Sequence, residues 1–204
     1  MVIDTALVLV GLLAAVALLH LRGDRDLGMT AARAIFAVYL AGVAHYALLP
    51  IRFDPALARD AGPWLVQVGL HPFFLPGGDA MSRDQVVYNL LMGVPFGIGL
   101  PFITRGWSIA ALLGAGIAFG FAIEGLQLLL NLSSLALPSW TIDINDVILN
   151  SAGAVLGVVG FIMARTLYGA AFGGRALRFR AWRHFHDVLV GAPGPTRGPD
   201  PAAR

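Results

Sequence analysis

The chain has 204 residues, of which 57% are hydrophobic and only 13% charged, with a mean hydropathy of +0.75. Soluble domains carry about a quarter charged residues, so this is the composition of a membrane protein. Cysteine is absent, which excludes a disulfide framework and any Cys-ligated metal. The net charge of +2 comes with Arg residues set between apolar segments, a pattern that speaks of membrane topology and not of nucleic acid.

A bilayer core about 30 Å thick needs roughly 20 apolar residues of helix. In chain order, the stretches that qualify are Val2 to Leu21, Ala31 to Leu49, Val86 to Thr104, Trp107 to Leu130 and Asp146 to Tyr168. The first lacks a basic start and an Ala-x-Ala cleavage site, so it reads as a span and not as a signal peptide. The predicted fold is therefore all-α, a polytopic helix bundle of about five transmembrane helices. Residues 50–85 form a long outer loop, and its apolar but Pro-broken part, "AGPWLVQVGLHPFFLPGG", is expected at the membrane interface.

Arg placement sets the expected orientation. Arg22, Arg25 and Arg33 flank the first loop and Arg105 lies in the third. Arg165, Arg175, Arg178, Arg180, Arg183, Arg197 and Arg204 close the last span and follow it. The loop between the fourth and fifth spans holds none. The positive-inside rule then puts the N-terminus outside and the C-terminus in the cytoplasm. Residues 169–204 read as a basic, partly disordered cytoplasmic tail. Within it Phe179, Trp182, Phe185 and Leu189 share a helical face suited to resting on anionic lipid.

Polar residues form stripes on the last three spans. Asp143, Asp146 and Asn150 share one face at spacings of 3 and 4, continued by Gly153 and Gly157, while Asn145 points away. The fourth span carries Gly116, Gly120, Glu124, Gln127 and Asn131. The third carries Gln85, Asn89 and Gly93. Small-xxx-small faces let helices approach closely in lipid, so the stripes are expected to face each other. At a rise of 1.5 Å per residue, Glu124 lies about 25 Å up its helix from Trp107, near the outer boundary. Asn89, Asn150 and His45 fall at similar depth.

Each residue has a bland reading beside the functional one. Asp143 suits an N-cap with Asp146 as a first-turn acid. Asn89, Gln127 and Asn150 suit interhelical hydrogen bonding. A lone His45 suits an interfacial His, and Arg165 a snorkelling anchor. Glu124 is harder to dismiss, because a carboxylate inside a span is costly and is usually paired or functional.

Three ordered blocks carry a resemblance: "YNLLMGVPFGIGLP", "IEGLQ" and "DINDVILNSAGAVLG". Together, over roughly Val86 to Tyr168, they resemble the VanZ-like family of bacterial membrane proteins. The resemblance picks out Asn89, Pro95, Phe96 and Gly97, then Glu124 and Gln127, then Asp143, Asp146, Asn150, Gly153 and Gly157. It implies that residues 1–168 form a VanZ-like transmembrane domain in the bacterial plasma membrane. It also implies a role in the cell envelope, since the founding member is associated with low-level resistance to the glycopeptide teicoplanin. Family members often have Gly-Arg ahead of the first Asp. Here "PSWTID" puts Trp140 near that position, so Arg52 or Arg83 is expected to supply the missing cation.

Three functions stay open at this stage. One is a binder in which Asn89, Glu124, Gln127, Asp143, Asp146, Asn150 and Arg52 line an outer-leaflet polar pocket. Its partners would be membrane lipid and a lipid-linked cell-wall precursor or a glycopeptide, with no nucleic acid. The second is an intramembrane enzyme using Glu124 and Asp146 as paired carboxylates, or Mg²⁺ or Mn²⁺ through their oxygens. No nucleophile motif, His pair or phosphate-cradling Gly loop supports it, and no cofactor or metal is expected. The third is a structural or assembly partner.

Overall fold

The computed structural model describes residues 2–22, 26–52, 68–73, 81–132, 141–173 and 180–191. Among them are α1 (Thr5–Leu21), α2 (Leu27–Ala47), α3 (Arg83–Ile103), α4 (Ile109–Leu132), α5 (Ile144–Phe172) and α6 (Arg180–Val190). Four of these, α2 to α5, are long and apolar enough to cross a membrane, and α1 is a shorter apolar helix of 17 residues. The predicted all-α bundle is what forms. Most of the 50–85 loop, the segment holding Ser133 and Trp140, and the end of the tail lie outside the described residues.

Local chemistry starts each helix. The Asp4 carboxylate accepts from Leu7 N–H at 3.0 Å and opens α1. Asp26 accepts from Gly28 and Met29 and opens α2. Ser82 and Gln85 form a reciprocal capping box at α3. Gln85 is exposed there, so it serves the helix start and does not belong to an inward polar stripe. Ser108 Oγ accepts from Ala111 N–H at 3.2 Å where α4 begins.

Helix α5 is the centre of the bundle. One side packs on α3 and another on α4, while α2 closes on α3 and α1 lies outermost against α2. The α3–α5 crossing is made of glycine. A methyl group built on Gly153 would sit 3.2 Å from Gly93 Cα, and one on Gly157 would sit 3.0 Å from Gly97 Cα. Both would strike the carbonyl oxygens of Leu90 and Val94 closer still. On the α4 side, Gly116 faces Ala154, and Gly120 lies against Val147 and Ser151. Ala154 and Val158 are fully buried there, and the Phe96 and Phe119 rings stack at 4.2 Å. The glycine faces predicted for α4 and α5 are thus helix contacts, with Gly97 as a further member on α3.

Polarity is reversed relative to a soluble protein. Leu7, Val10, Ile35, Phe121, Leu129, Met163 and Leu167 are exposed, while Asn89, Glu124, Gln127, Asn131, Asp143, Asn145 and Asn150 are buried. An apolar outside around a polar inside suits lipid as the surrounding solvent. Helix α1 buries no residue at all, as expected of a helix surrounded by lipid on most sides.

Two short strand pairings fix the ends. Val2 and Ile3 pair antiparallel with Arg52 and Ile51. This places the start of α1 at the same end as the end of α2. Val68 and Gly69 pair parallel with Ile142 and Asp143, which draws part of the 50–85 loop to the mouth of α5. At the opposite end α6 docks on α2, α3 and α5. Its most deeply buried side chains are His184 and His186, whereas Trp182 is exposed and Phe185 packs on Phe102. Residues 180–191 are therefore seated on the bundle through His184 and His186; of the aromatic face read for lipid, Phe185 turns onto Phe102, Trp182 is exposed, and Phe179 lies outside the described residues.

Candidate functional site

The polar stripes of α3, α4 and α5 converge at the end of the bundle where α5 begins. Asp143 is buried and stands just before the helix, with its carboxylate accepting from Asn145 N–H at 2.9 Å and from Asn145 Nδ2 at 2.7 Å. It is thus an N-cap, the bland reading made real. Its own backbone N–H does something more. It donates to Glu124 Oε2 at 3.2 Å, so the α4 carboxylate is held by the mouth of α5.

One turn into α5, Asp146 accepts a hydrogen bond from Asn89 Nδ2 of α3. The carboxyls of Glu124, Asp143 and Asp146 lie within electrostatic reach of one another. Gln127 reaches the other way, donating from Nε2 to Ala47 O at the end of α2, at 2.9 Å. Asn150 is 1% exposed. Its Oδ1 and the Oε1 of Gln127 are buried amide oxygens without a hydrogen-bond partner among the described residues. Such orphans are rare, because each forfeits its solvation without replacement.

The expected pocket residues therefore do not all behave alike. Glu124, Asp143, Asp146 and Asn89 are joined by direct contacts. Asn150 lies one turn deeper on the same face as Asp146, and Gln127 ties α4 to α2. His45 stands apart, bonded through Nδ1 to Thr5 Oγ1 at 2.7 Å, where it joins α2 to α1. The side chain of Arg52 lies outside the described residues, although its backbone is fixed by the pairing with Val2. Arg83 is exposed at the start of α3 and makes no ion pair with the cluster among the described residues. Among those residues, no group of three His, Asp or Glu side chains is arranged to hold a metal ion.

Asn145 is the residue that face-counting missed. Helical spacing turns it away from the Asp143–Asp146–Asn150 stripe, yet it is 1% exposed and, because Asp143 stands outside the helix as its cap, the Asn145 side chain bonds the Asp143 carboxylate. Its amide donates to His71 O at 3.3 Å and accepts from Phe73 N–H. It thereby stitches residues 68–73 over the mouth of α5. The sequence offered one hint, an Asn two residues after a capping Asp, but no sign of its distant partner.

A second polar group lies at the opposite end. Arg105, in the turn between α3 and α4, pairs with the Asp26 carboxylate and donates from Nε to His184 Nδ1 at 3.1 Å. His184 Nε2 donates to Phe102 O at 2.7 Å. This network seats α6. One end of the bundle is therefore rich in buried carboxyls and amide oxygens, and the other in a guanidinium and imidazoles.

The VanZ/LLP1 family model matches residues 6–165. The chain belongs to the VanZ/LLP1 family. The match runs from the first turn of α1 to Arg165 in α5, so the family region is the five-helix bundle up to the last two turns of α5, without α6. All the residues of the acceptor-rich end fall inside it. No curated protein and no solved structure matches the chain. The family, the apolar exterior and the four long helices together make this a VanZ-like integral membrane protein.

Proposed function

We propose that this VanZ/LLP1 member is a multi-pass protein of the bacterial plasma membrane that holds the headgroup of a lipid-linked or amphiphilic ligand at its acceptor-rich end. The ligand class is a cell-wall precursor or a glycopeptide of the teicoplanin type. The role is that of a binder or modulator, and the contribution to the cell is protection of the envelope.

The observation that carries this reading is an imbalance of hydrogen-bonding groups. Glu124, Asp143 and Asp146 bring three carboxyls together, and Asn150 and Gln127 add two orphaned amide oxygens. Among the described residues, the donors aimed at the carboxyls are Asn89 Nδ2, the Asp143 N–H and the Asn145 amide, while Gln127 Nε2 is spent on Ala47 O. In a low-dielectric setting, unmatched acceptors favour a group that brings N–H or O–H donors or positive charge. Amino and hydroxyl groups of a sugar-peptide headgroup have that character. The carboxyl pair would also suit acid–base chemistry, but the sequence carries no nucleophile motif to go with it.

A structural role is the competing reading, favoured by the Asn89–Asp146 and Gln127–Ala47 bonds that tie helices together. The two separate experimentally. Wild type, Glu124→Gln and Asp146→Asn are reconstituted in nanodiscs, and binding of teicoplanin and of a lipid-linked precursor is measured alongside melting temperature. Lost binding with a retained melt supports the binder. No binding by wild type, or binding unchanged in both variants, overturns it.

A further inference from the structure

Where α4, α5 and α6 meet, at the end opposite the carboxyls, the bundle holds a cavity of about 430 Å³. That volume lies within the roughly 300–1,000 Å³ of small-molecule sites. Ile109 and Leu112 of α4, Ile162 of α5 and Leu189 of α6 give it an apolar wall, and Trp107 and Arg165 border it as exposed residues. No acidic side chain lines it.

Arg165 is placed with some care. Its guanidinium lies across Gly191, whose φ of +73° is a conformation that favours glycine. A Cβ at Gly191 would meet Arg165 Cζ at 3.0 Å and Nε at 3.2 Å and would displace the side chain. Among the described residues the guanidinium has no hydrogen bond or ion pair, and Thr166 beside it is committed to Ile162 O at 2.9 Å. Depth adds a separate constraint. Arg165 lies about 31 Å along α5 from Ile144 at 1.5 Å per residue. With the start of α5 at one boundary of a core about 30 Å thick, the guanidinium reaches the other boundary, at phosphate level. The apolar wall then falls at the level of acyl chains.

We infer that the cavity between α4, α5 and α6 seats one anionic phospholipid, its phosphate on Arg165 and an acyl chain against Ile109, Leu112 and Ile162. A guanidinium offers paired N–H groups that match phosphate geometry. With no carboxylate in the lining, a choline or other cationic headgroup gains nothing there. The site is independent of the carboxyl-rich end and of what binds to it.

Native mass spectrometry of the full chain, purified in detergent, tests this with equimolar phosphatidylglycerol and phosphatidylcholine of identical acyl chains. Wild type is expected to retain phosphatidylglycerol with a preference of about threefold, the scale of a partly exposed charge pair. Arg165→Gln should fall to parity, while Arg183→Gln, an exposed Arg of α6 outside the lining, should keep the preference. Gly191→Val retains every charge and displaces the guanidinium, at the cost of backbone strain at a φ of +73°, so it should also fall to parity; with α6 shown still docked by hydrogen exchange, it carries the test alone if Arg165→Gln does not fold. Parity in wild type, or a preference surviving Gly191→Val, overturns the proposal. Displacement of the bound lipid by excess inorganic phosphate would likewise overturn it, since the anion alone would then be what is read.

Discussion

A buried carboxylate in lipid persists only if donors are aimed at it, and at the mouth of α5 each donor is a single identifiable group. Asp146 depends on Asn89, Glu124 on the Asp143 N–H, and Asp143 on Asn145. Replacing Asn89 by Leu strips Asp146 of its donor without touching a charge. It should cost about 1–3 kcal/mol, the penalty of an unsatisfied buried acceptor, read as a lower melting temperature in detergent. Asp146→Asn in the same Asn89→Leu background should recover part of that loss, because a neutral amide is cheaper to leave unpaired. No recovery would mean that Asn89 acts through packing. The Asn89, Glu124, Asp143, Asp146 and Asn150 grouping was legible in the sequence because four of these residues sit inside helices, where spacing fixes direction, and Asp143 caps the start of one. Gln85, Asn145 and His45 were not. Their partners are set by a cap, a distant loop segment and a neighbouring outer helix, none of which helical periodicity encodes.

At the scale of elements, the α3–α5 crossing rests on backbones brought together where side chains are absent. Gly97→Leu and Gly157→Leu each force a side chain into the facing backbone and should cost about 1–3 kcal/mol or more. Gly114→Leu, on α4 where an added Cβ meets nothing within 4 Å, should melt like wild type. Equal melting of all three would place the crossing elsewhere. The glycine faces of α4 and α5 were readable from their spacing. The seat of α6 was not, since His184 is polar and lies off the aromatic face, and only Arg105 and Phe102 from distant positions make it a buried residue. Burial pushes His184 below its ordinary 6.5, helped by the nearby Arg105 and opposed by Phe102 O, Asp26 and Asp187. Its two bonds agree, because Nδ1 accepts from Arg105 and Nε2 donates, which is a neutral ring. The folded value is depressed, so docking is stable above about pH 6.5 and weakens as pH falls through that value. Intrinsic amide exchange slows from pH 7.5 to 5.5, so weakened docking should show over residues 180–191 as exchange that slows by less than this, that is, as lower protection at pH 5.5. In His184→Gln that loss of protection should vanish; if it persists, another group is responsible.

For the whole molecule, the order of the helices through the bundle follows from its two ends. The Val2–Arg52 pairing and the Thr5–His45 bond hold the start of α1 beside the end of α2, at the carboxyl-rich end. His20 Nδ1 and Thr30 Oγ1, 2.8 Å apart, join the other ends of the same two helices. The described start of the chain and the mouth of α5 therefore share one end, and α6 takes the opposite one. Which end faces the cytoplasm is a matter of charge. Arg105, Arg165 and Arg183 gather with α6, while Glu124, Asp143 and Asp146 gather at the other end. Cationic side chains near the ends of spans resist translocation, so the α6 end should stay inside and the carboxyl-rich end should face out. The absence of native cysteine makes this testable one position at a time. A cysteine at Ser133, between α4 and α5, should react with a membrane-impermeant maleimide in intact cells. One at Ala192, just after α6, should react only once the cells are opened. Reaction at Ala192 alone would invert the protein and turn the carboxyl-rich end toward the cytoplasm. Ligands delivered from outside the cell would then be excluded, glycopeptides among them, and the proposed function would fall with the orientation.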